Sequence, residues 1–272
     1  KRSATFTKRN DMKMECTMRT AVITGASSGM GREFARHVVH FYKNLDEIWV
    51  IARRTERLEE LKKELSVPVR IFSCDLTKKK SLKEYRNALE EYRPDVRMLV
   101  NAAGFGKTGA FSDILSREEK AQAEMVELNC TALTRMIQVT LPYLGRGSRI
   151  LNLASAAAFC PQPGFAVYAA TKSYVLSLSR ALGSELSSKG IYVTAVCPGP
   201  VDTEFFLVSG TGNNPLKKLV MTDAPRVVRR ALLDSRKKKP LSVCGLPMKA
   251  VRIGTKLFPH SLILKAEELL TK

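Results

Sequence analysis

Short apolar runs alternate with helical patterns over most of this 272-residue chain, and that alternation constrains its fold more than any other feature. Residues 20–24 (TAVIT) form a β-rich run, followed by a Gly/Ser turn and a helical pattern over 29–42. Residues 47–52 (EIWVIA) read as a second strand, and 56–65 as a helix with Leu58, Leu61 and Leu65 on one face. Further strands are expected at 67–73, 97–101, 149–154 and 192–197, separated by helices at 81–92, 118–144 and 165–188. Strands apolar throughout, alternating with helices, describe a parallel sheet covered on both faces. The expected fold class is α/β, a single doubly wound parallel sheet with helices on both faces.

After Pro198 the pattern loosens. The stretch 203–221 is rich in Gly, Asn and Ser and is expected to be a mobile loop, with a helix at 224–235 and a last strand at 241–244. From Met248 apolar residues (Val251, Ile253, Leu257, Phe258, Leu262, Ile263, Leu269, Leu270) recur among lysines, which predicts two short amphipathic helices broken near Pro259.

Charge is distributed unevenly. The net charge is +19, but residues 1–19 contribute +4 and 216–272 contribute +10, against +5 for the much longer stretch 20–215. The excess sits outside the segment that carries chemistry, so runs such as Arg236-Lys237-Lys238-Lys239 read as solvated surface, and no nucleic-acid partner is expected. The six cysteines are scattered without a C-x-x-C pair, and His37, His40 and His260 form no ligand cluster with them, so no metal site is expected. Isolated cysteines suit a reducing cytoplasm, the expected location. No apolar run approaches the ~20 residues that span a bilayer, and no stable membrane insertion is expected.

The chemistry-bearing residues fall at strand ends. Residues 24–31 (TGASSGMG) lie between the first strand and the first helix, where glycines permit a tight turn and a pyrophosphate can sit at the positive helix N-terminus. Such a turn, so placed, favours dinucleotide binding and a Rossmann-type sheet. The second strand ends in Arg53-Arg54 with no acid until Glu56. Arginine there suits a 2′-phosphate, a carboxylate would suit a ribose hydroxyl, and NADP(H) is therefore the expected cofactor; a solvated arginine pair opening a helix is the alternative. Asp75, after the third strand, suits either an adenine amino group or a turn. Tyr168 and Lys172 are four apart on a helix and share a face. An ammonium beside a phenol, whose ordinary pKa is ~10, is expected to lower it toward the range useful for proton exchange. Ser155, at the end of a strand, adds a hydroxyl that can hold a carbonyl oxygen.

Taken in order, these motifs resemble the short-chain dehydrogenase/reductase family over residues 19–204: 24–31, Asp75, 101–104 (NAAG), Asn129, Ser155, 168–172 (YAATK) and 198–203 (PGPVDT). The resemblance implies hydride transfer between a nicotinamide and a carbonyl, with Tyr168 as proton donor, Ser155 holding the oxygen, Lys172 on the nicotinamide ribose and Asn129 supporting a water relay from Lys172. It further implies cofactor contacts from Gly25, Ser27, Ser28, Gly29, Met30, Gly31, Arg53, Arg54, Asp75, Leu76, Asn101, Ala102, Gly104, Tyr168, Lys172, Pro198, Gly199, Val201 and Thr203. On this reading residues 1–17 are a flexible basic tail, 18–245 the NADP-binding catalytic domain and 246–272 a helical extension packed on it. Phe105, Ala156, Phe159, Phe165, Phe205 and Phe206 are expected to line a substrate pocket for a hydrophobic ketone or secondary alcohol, such as a hydroxysteroid or bile acid. Long helices of this family pack across subunits, which implies a homodimer or homotetramer. The alternative is an NADP(H)-binding regulatory or membrane-surface protein without turnover.

Overall fold

The computed structural model describes residues 18–42, 44–205 and 221–271. Its central sheet has seven strands, all paired in parallel, in the order β3-β2-β1-β4-β5-β6-β9. The strands are β1 (Arg19–Thr24), β2 (Glu47–Ala52), β3 (Val69–Ser73), β4 (Asp95–Asn101), β5 (Arg149–Leu153), β6 (Tyr192–Val196) and the short edge strand β9 (Leu241–Ser242). The chain winds outward from β1 to β3, then returns to start β4 on the other side of β1. That reversal opens a crevice beyond the carboxyl ends of β1 and β4, the place where ligands bind in sheets of this kind.

The continuous apolar runs follow from burial on both faces. Side chains alternate along a strand, so Ile23, Ile48, Val50 and Val100 enter one core while Val22, Trp49, Ile51 and Leu99 enter the other. The first core is completed by α1 (Gly29–Phe41), α2 (Thr55–Glu64) and α8 (Ala224–Arg236), through Phe34, Val38, Leu58, Leu61, Val228 and Leu232. The second is completed by α3 (Lys79–Tyr92), α6 (Leu133–Thr140) and α7 (Ala166–Ser187), through Tyr85, Leu89, Met136, Ile137 and Val175.

Several expectations are refined. A helix α4 (Phe111–Arg117), which the periodicity did not signal, precedes the long helix. The single helix expected over 118–144 is a relay of α5 (Ala121–Val126), a wide π-helical turn (Glu127–Ala132), α6 and a 3₁₀ turn (Leu141–Tyr143) that holds Pro142. A π-turn inside a helix is uncommon and concentrates at functional sites; this one carries Asn129. A two-residue parallel pair, β7 (Val201–Asp202) with β8 (Thr222–Asp223), stands apart from the main sheet. The last strand is two residues long rather than four, because Val243 and Cys244 leave the ladder. The expected break near Pro259 separates α9 (Leu246–Leu257) from α10 (His260–Thr271). The expected basic tail at 1–17 and most of the expected loop at 203–221 lie outside the described residues, as does Phe206. Among the described residues no helix is long and apolar enough to cross a membrane.

Candidate active site

A cleft of about 1080 Å³ runs along the carboxyl ends of the central strands, from Arg53 and Asp75 at one end to Tyr168 and Phe205 at the other. Its floor is the glycine-rich turn. Gly25 and Gly29 both take left-handed backbone angles (φ +69° and +51°), which side chains rarely adopt. At Gly25 space forbids a side chain as well, since an added Cβ would lie 2.8 Å from the Ala103 nitrogen. The turn delivers the N-terminus of α1 to the cleft with Ser28 as its extended cap, and that cap's side chain accepts no bond from the first helical turn. Thr24 binds the two sides together: its hydroxyl accepts the amides of Ala102 and Ala103 at 3.0 and 3.1 Å.

At the outer end Arg54 reaches back over the turn. Its guanidinium donates to Ser27 Oγ at 3.2 Å and to Ser28 Oγ at 2.6 Å, and its Nη1 donates to Glu204 at 3.0 Å. Burial acts to raise the Asp75 carboxyl, but two bonds from Thr77 and, to a lesser extent, the charge of the exposed Arg53 hold it below its usual range. Those bonds, from the Thr77 amide (2.9 Å) and hydroxyl (2.8 Å), make Asp75 a turn aspartate that also lines the cleft.

At the inner end the three reactive side chains converge. Ser155 follows β5, accepts the Ala157 amide at 3.1 Å through Oγ and hydrogen-bonds Tyr168. Lys172 lies one turn beyond Tyr168 on α7, with Nζ 5.6 Å from the phenol ring centre and donating to the Leu153 carbonyl at 2.8 Å. Phe165 stacks on Tyr168 with centroids 4.2 Å apart, and Phe205 tilts against the same ring at 5.4 Å. This aromatic cover changes the expected electrostatics. Burial pushes the Tyr168 phenol up to about 12, with the Ser155 bond opposing it, and pushes Lys172 down to about 8. The expected lowering of Tyr168 by Lys172 is therefore not what this arrangement gives. Desolvation disfavours both charges.

Nearly all the expected cofactor residues line the cleft: Gly25, Ser27, Ser28, Gly29, Met30, Gly31, Arg53, Arg54, Asp75, Leu76, Ala102, Gly104, Tyr168, Lys172, Pro198, Gly199, Val201 and Thr203. Asn101 does not. It is buried behind the wall, where its Nδ2 donates to Asn152 Oδ1 at 2.9 Å and Asn152 in turn donates to Ser179. Asn129 is buried as well. Its Oδ1 accepts the Phe105 amide (3.1 Å), and its Nδ2 donates to the Phe105 carbonyl (2.9 Å) and Thr171 Oγ1 (3.1 Å). Through these bonds the Asn129 side chain fixes the Gly104–Phe105 wall. Phe105, Ala156, Phe165 and Phe205 line the inner cleft; Phe159 instead packs into the second core.

These motifs fall within a match, over residues 19–211, to the family model described as short chain dehydrogenase. The chain belongs to the short-chain dehydrogenase family. An uncharacterized oxidoreductase of Staphylococcus epidermidis is 32% identical over 203 residues, covering 74% of this chain and 85% of the relative. A serine 3-dehydrogenase of Agrobacterium fabrum is 35% identical over 195 residues, covering 71% and 76%. Among solved structures, a short-chain dehydrogenase from Sphingobium yanoikuyae in complex with NADPH superposes with a TM-score of 0.73 at 28% identity, covering 93% of this chain and 96% of its own.

In this short-chain dehydrogenase, sequence reasoning missed three contributions. Met248 and Val251 of α9 close the cleft over Gly199, where an added Cβ would lie 2.5 Å from the Met248 sulfur. Glu127 and Leu128 enter from the π-turn. Arg57 and Glu204 meet at the outer rim. Arg57 lies three residues beyond Arg54, the spacing of neighbours on one helical face, and that signal was available in the sequence. The return of α9 to the cleft was not.

Proposed function

We propose that this short-chain dehydrogenase is an NADP(H)-dependent oxidoreductase acting on a hydrophobic ketone or secondary alcohol, with a hydroxysteroid or bile acid as the substrate class. The observation that carries this reading is the placement of Ser155, Tyr168 and Lys172 at the closed, phenylalanine-lined end of a dinucleotide-sized cleft. When bound, the nicotinamide supplies the hydride that the carbonyl carbon receives. Ser155 Oγ holds the carbonyl oxygen and stabilises its growing negative charge. Tyr168 Oη gives that oxygen its proton, so that ketone, hydride and proton together make the alcohol. Lys172, hydrogen-bonded to the Leu153 carbonyl, is placed to hold the nicotinamide ribose and to return a proton to Tyr168. Oxidation reverses each step, with Tyr168 as the base. Asn129 is a positioning residue that keeps the Gly104–Phe105 wall in place.

Arg53 and Arg54 at the end of β2, with Ser27 and Ser28 on the glycine-rich turn beside them, support the choice of NADP(H), as does the NADPH-bound relative. Phe105, Phe165 and Phe205 support an apolar substrate. The assembly we propose is a homodimer or homotetramer through α5, α6 and α7, where Val126 and Tyr174 are left exposed; light scattering on the purified protein tests it. The deciding experiment follows nicotinamide absorbance with NADPH and NADH over steroid, bile-acid and aliphatic ketones. Turnover that favours NADPH and vanishes in Tyr168→Phe supports the proposal. NADPH binding without turnover on any member of the panel would move the protein to the regulatory reading.

One observation favours a membrane-surface role beside the catalytic one. On α9, Leu246, Ile253 and Leu257 share one face and are 78%, 58% and 73% exposed, and Phe258 and Leu262 continue the apolar surface. Lys249 and Lys256 flank that stripe, and residues 246–265 contain no acid. A second copy docked there by a two-fold would set lysines against lysines, whereas an anionic lipid surface complements them. Co-sedimentation with phosphatidylserine vesicles that is lost in Ile253→Glu supports this role; a protein that stays in the supernatant at low salt refutes it.

A further inference from the structure

Glu204 lies one residue past Thr203 at the outer rim of the cleft, and its carboxylate is shared between two guanidiniums. Arg54 Nη1 donates to Oε2 at 3.0 Å, and Arg57, one turn further along α2, donates to Oε1. The same Arg54 donates to the hydroxyls of Ser27 and Ser28 on the glycine-rich turn. Two guanidiniums on one carboxylate, one of them also bonded to two hydroxyls of the glycine-rich turn, make a donor set suited to an oxyanion. A carboxylate from the chain's own backbone neighbour of Phe205 occupies it. The two arginines keep that carboxyl below the usual carboxylate range, so it is charged wherever the enzyme works.

We propose that Glu204 is an internal competitor for the anion site formed by Arg54, Arg57, Ser27 and Ser28, and that a 2′-phosphate must displace its carboxylate to bind. Glu204 and Arg57 thereby become specificity residues: together they set how strongly the protein separates 2′-phosphorylated from unphosphorylated dinucleotides. This inference rests on the NADP(H) reading above and deepens it. The physical argument is one of exchange. A 2′-phosphate brings up to two charges and three acceptor oxygens, and a carboxylate fixed on the same donors brings one charge and two. The carboxylate has the advantage of being tethered, and so of being present at a high effective concentration. Both ion pairs are partly exposed, so each shifts an equilibrium by at most about five-fold. Removing the competitor is then worth about 5- to 20-fold in affinity for a 2′-phosphorylated ligand. A ligand that lacks the phosphate never contests the site and gains nothing specific.

The test is titration calorimetry of the full chain with adenosine 2′,5′-bisphosphate, 5′-AMP, NADPH and NADH, on wild type and Glu204→Gln. The expected result is a wild type that favours the 2′-phosphorylated member of each pair, and a variant that binds those members about 5-fold or more tighter with 5′-AMP and NADH within two-fold of wild type. Glu204→Ala must give the same pattern, and a thermal melt without ligand establishes that each variant is folded. A wild type that favours the bisphosphate, with variants that bind it no tighter, overturns the competitor while leaving the NADP(H) reading standing. Tightening of all four ligands alike also overturns it, since relief of general charge repulsion would then be the cause. A wild type that binds 5′-AMP as well as the bisphosphate overturns the NADP(H) reading and this inference with it.

Discussion

Replacing Lys172 by methionine is expected to abolish turnover and yet stabilise the fold near neutral pH. The lysine is buried, 6% exposed, and desolvation lowers it from 10.5 to about 8. That gap of about 2.5 pH units, at 1.36 kcal/mol each, makes the buried ammonium cost about 3 kcal/mol. Below pH 8 the folded protein bears that cost and the unfolded chain does not. Between about 8 and 10.5 the unfolded chain holds a proton that the folded state has released, so this residue's contribution to stability rises with pH. Above 10.5 both states are neutral and the cost is gone. Methionine keeps the volume and the straight stem but loses the 2.8 Å bond to the Leu153 carbonyl, worth about 1 kcal/mol. The variant is therefore expected to be about 2 kcal/mol more stable at pH 6.5, with the advantage shrinking and changing sign near pH 10. Urea denaturation of both proteins at pH 6.5, 8 and 10 measures the difference. Burial pushes Tyr168 and Cys197 up to about 12, so both destabilise the fold at high pH, and loss of the Lys172 charge raises Cys197 further, which makes pH 6.5 against pH 8 the deciding comparison. A variant less stable at pH 6.5, or a difference that stays flat with pH, would refute the claim that the ammonium is desolvated.

Three further outcomes are expected from the same geometry. In the reducing direction kcat/KM is expected to fall as pH rises through about 8, where the free enzyme's Lys172 loses its proton; a profile flat to pH 10 contradicts that assignment. Gly106→Ala puts a Cβ 2.9 Å from both Phe205 and Tyr168 and 3.1 Å from Phe165. Overpacking there is expected to cost about 1–3 kcal/mol and at least ten-fold in kcat/KM, read by denaturant midpoint and turnover; a variant with wild-type values would mean that the three rings are not held together. Asp234→Ala removes a buried carboxylate that accepts from Arg230 (2.8 Å) and Ser242 (3.0 Å) and pairs with Lys239. Its pKa is lowered in the fold, so its stabilisation is complete above the ordinary value of 3.8 and is lost as pH falls through the lowered one. The gap between wild type and variant, about 2–4 kcal/mol at pH 7, is expected to narrow by pH 3.

The order of strands and helices was legible because each run carries its own periodicity. Ala21–Ile23 and Ile48–Ile51 are apolar on both faces, and only a sheet covered twice buries both. The candidate catalytic set was legible for a related reason. Tyr168 and Lys172 share a helix, the glycine-rich turn is local, and Ser155 sits at a strand end, so their proximity follows from short-range geometry. Asn101 and Phe159 were misplaced because a residue type at a strand end does not tell which way the side chain turns. Asn101 turns inward to Asn152, and Phe159 joins the second core. The π-turn at Glu127–Ala132 left no periodic mark, since one widened turn inside a long helix barely shifts a 3.6-residue pattern.

What the sequence determined by itself is therefore the doubly wound sheet, the glycine-rich turn at its switch point and the candidate side chains of the cleft. Tertiary structure alone decided that Phe165 and Phe205 pack on Tyr168, that burial raises the phenol's pKa and lowers that of Lys172, that α9 returns to the cleft through Met248, and that Glu204 meets Arg54 and Arg57. Each of these joins residues far apart in the chain, or depends on how much water their meeting excludes. Local pattern fixes which groups are present, whereas contact and desolvation, which set their charge and partners, exist only once the chain has folded.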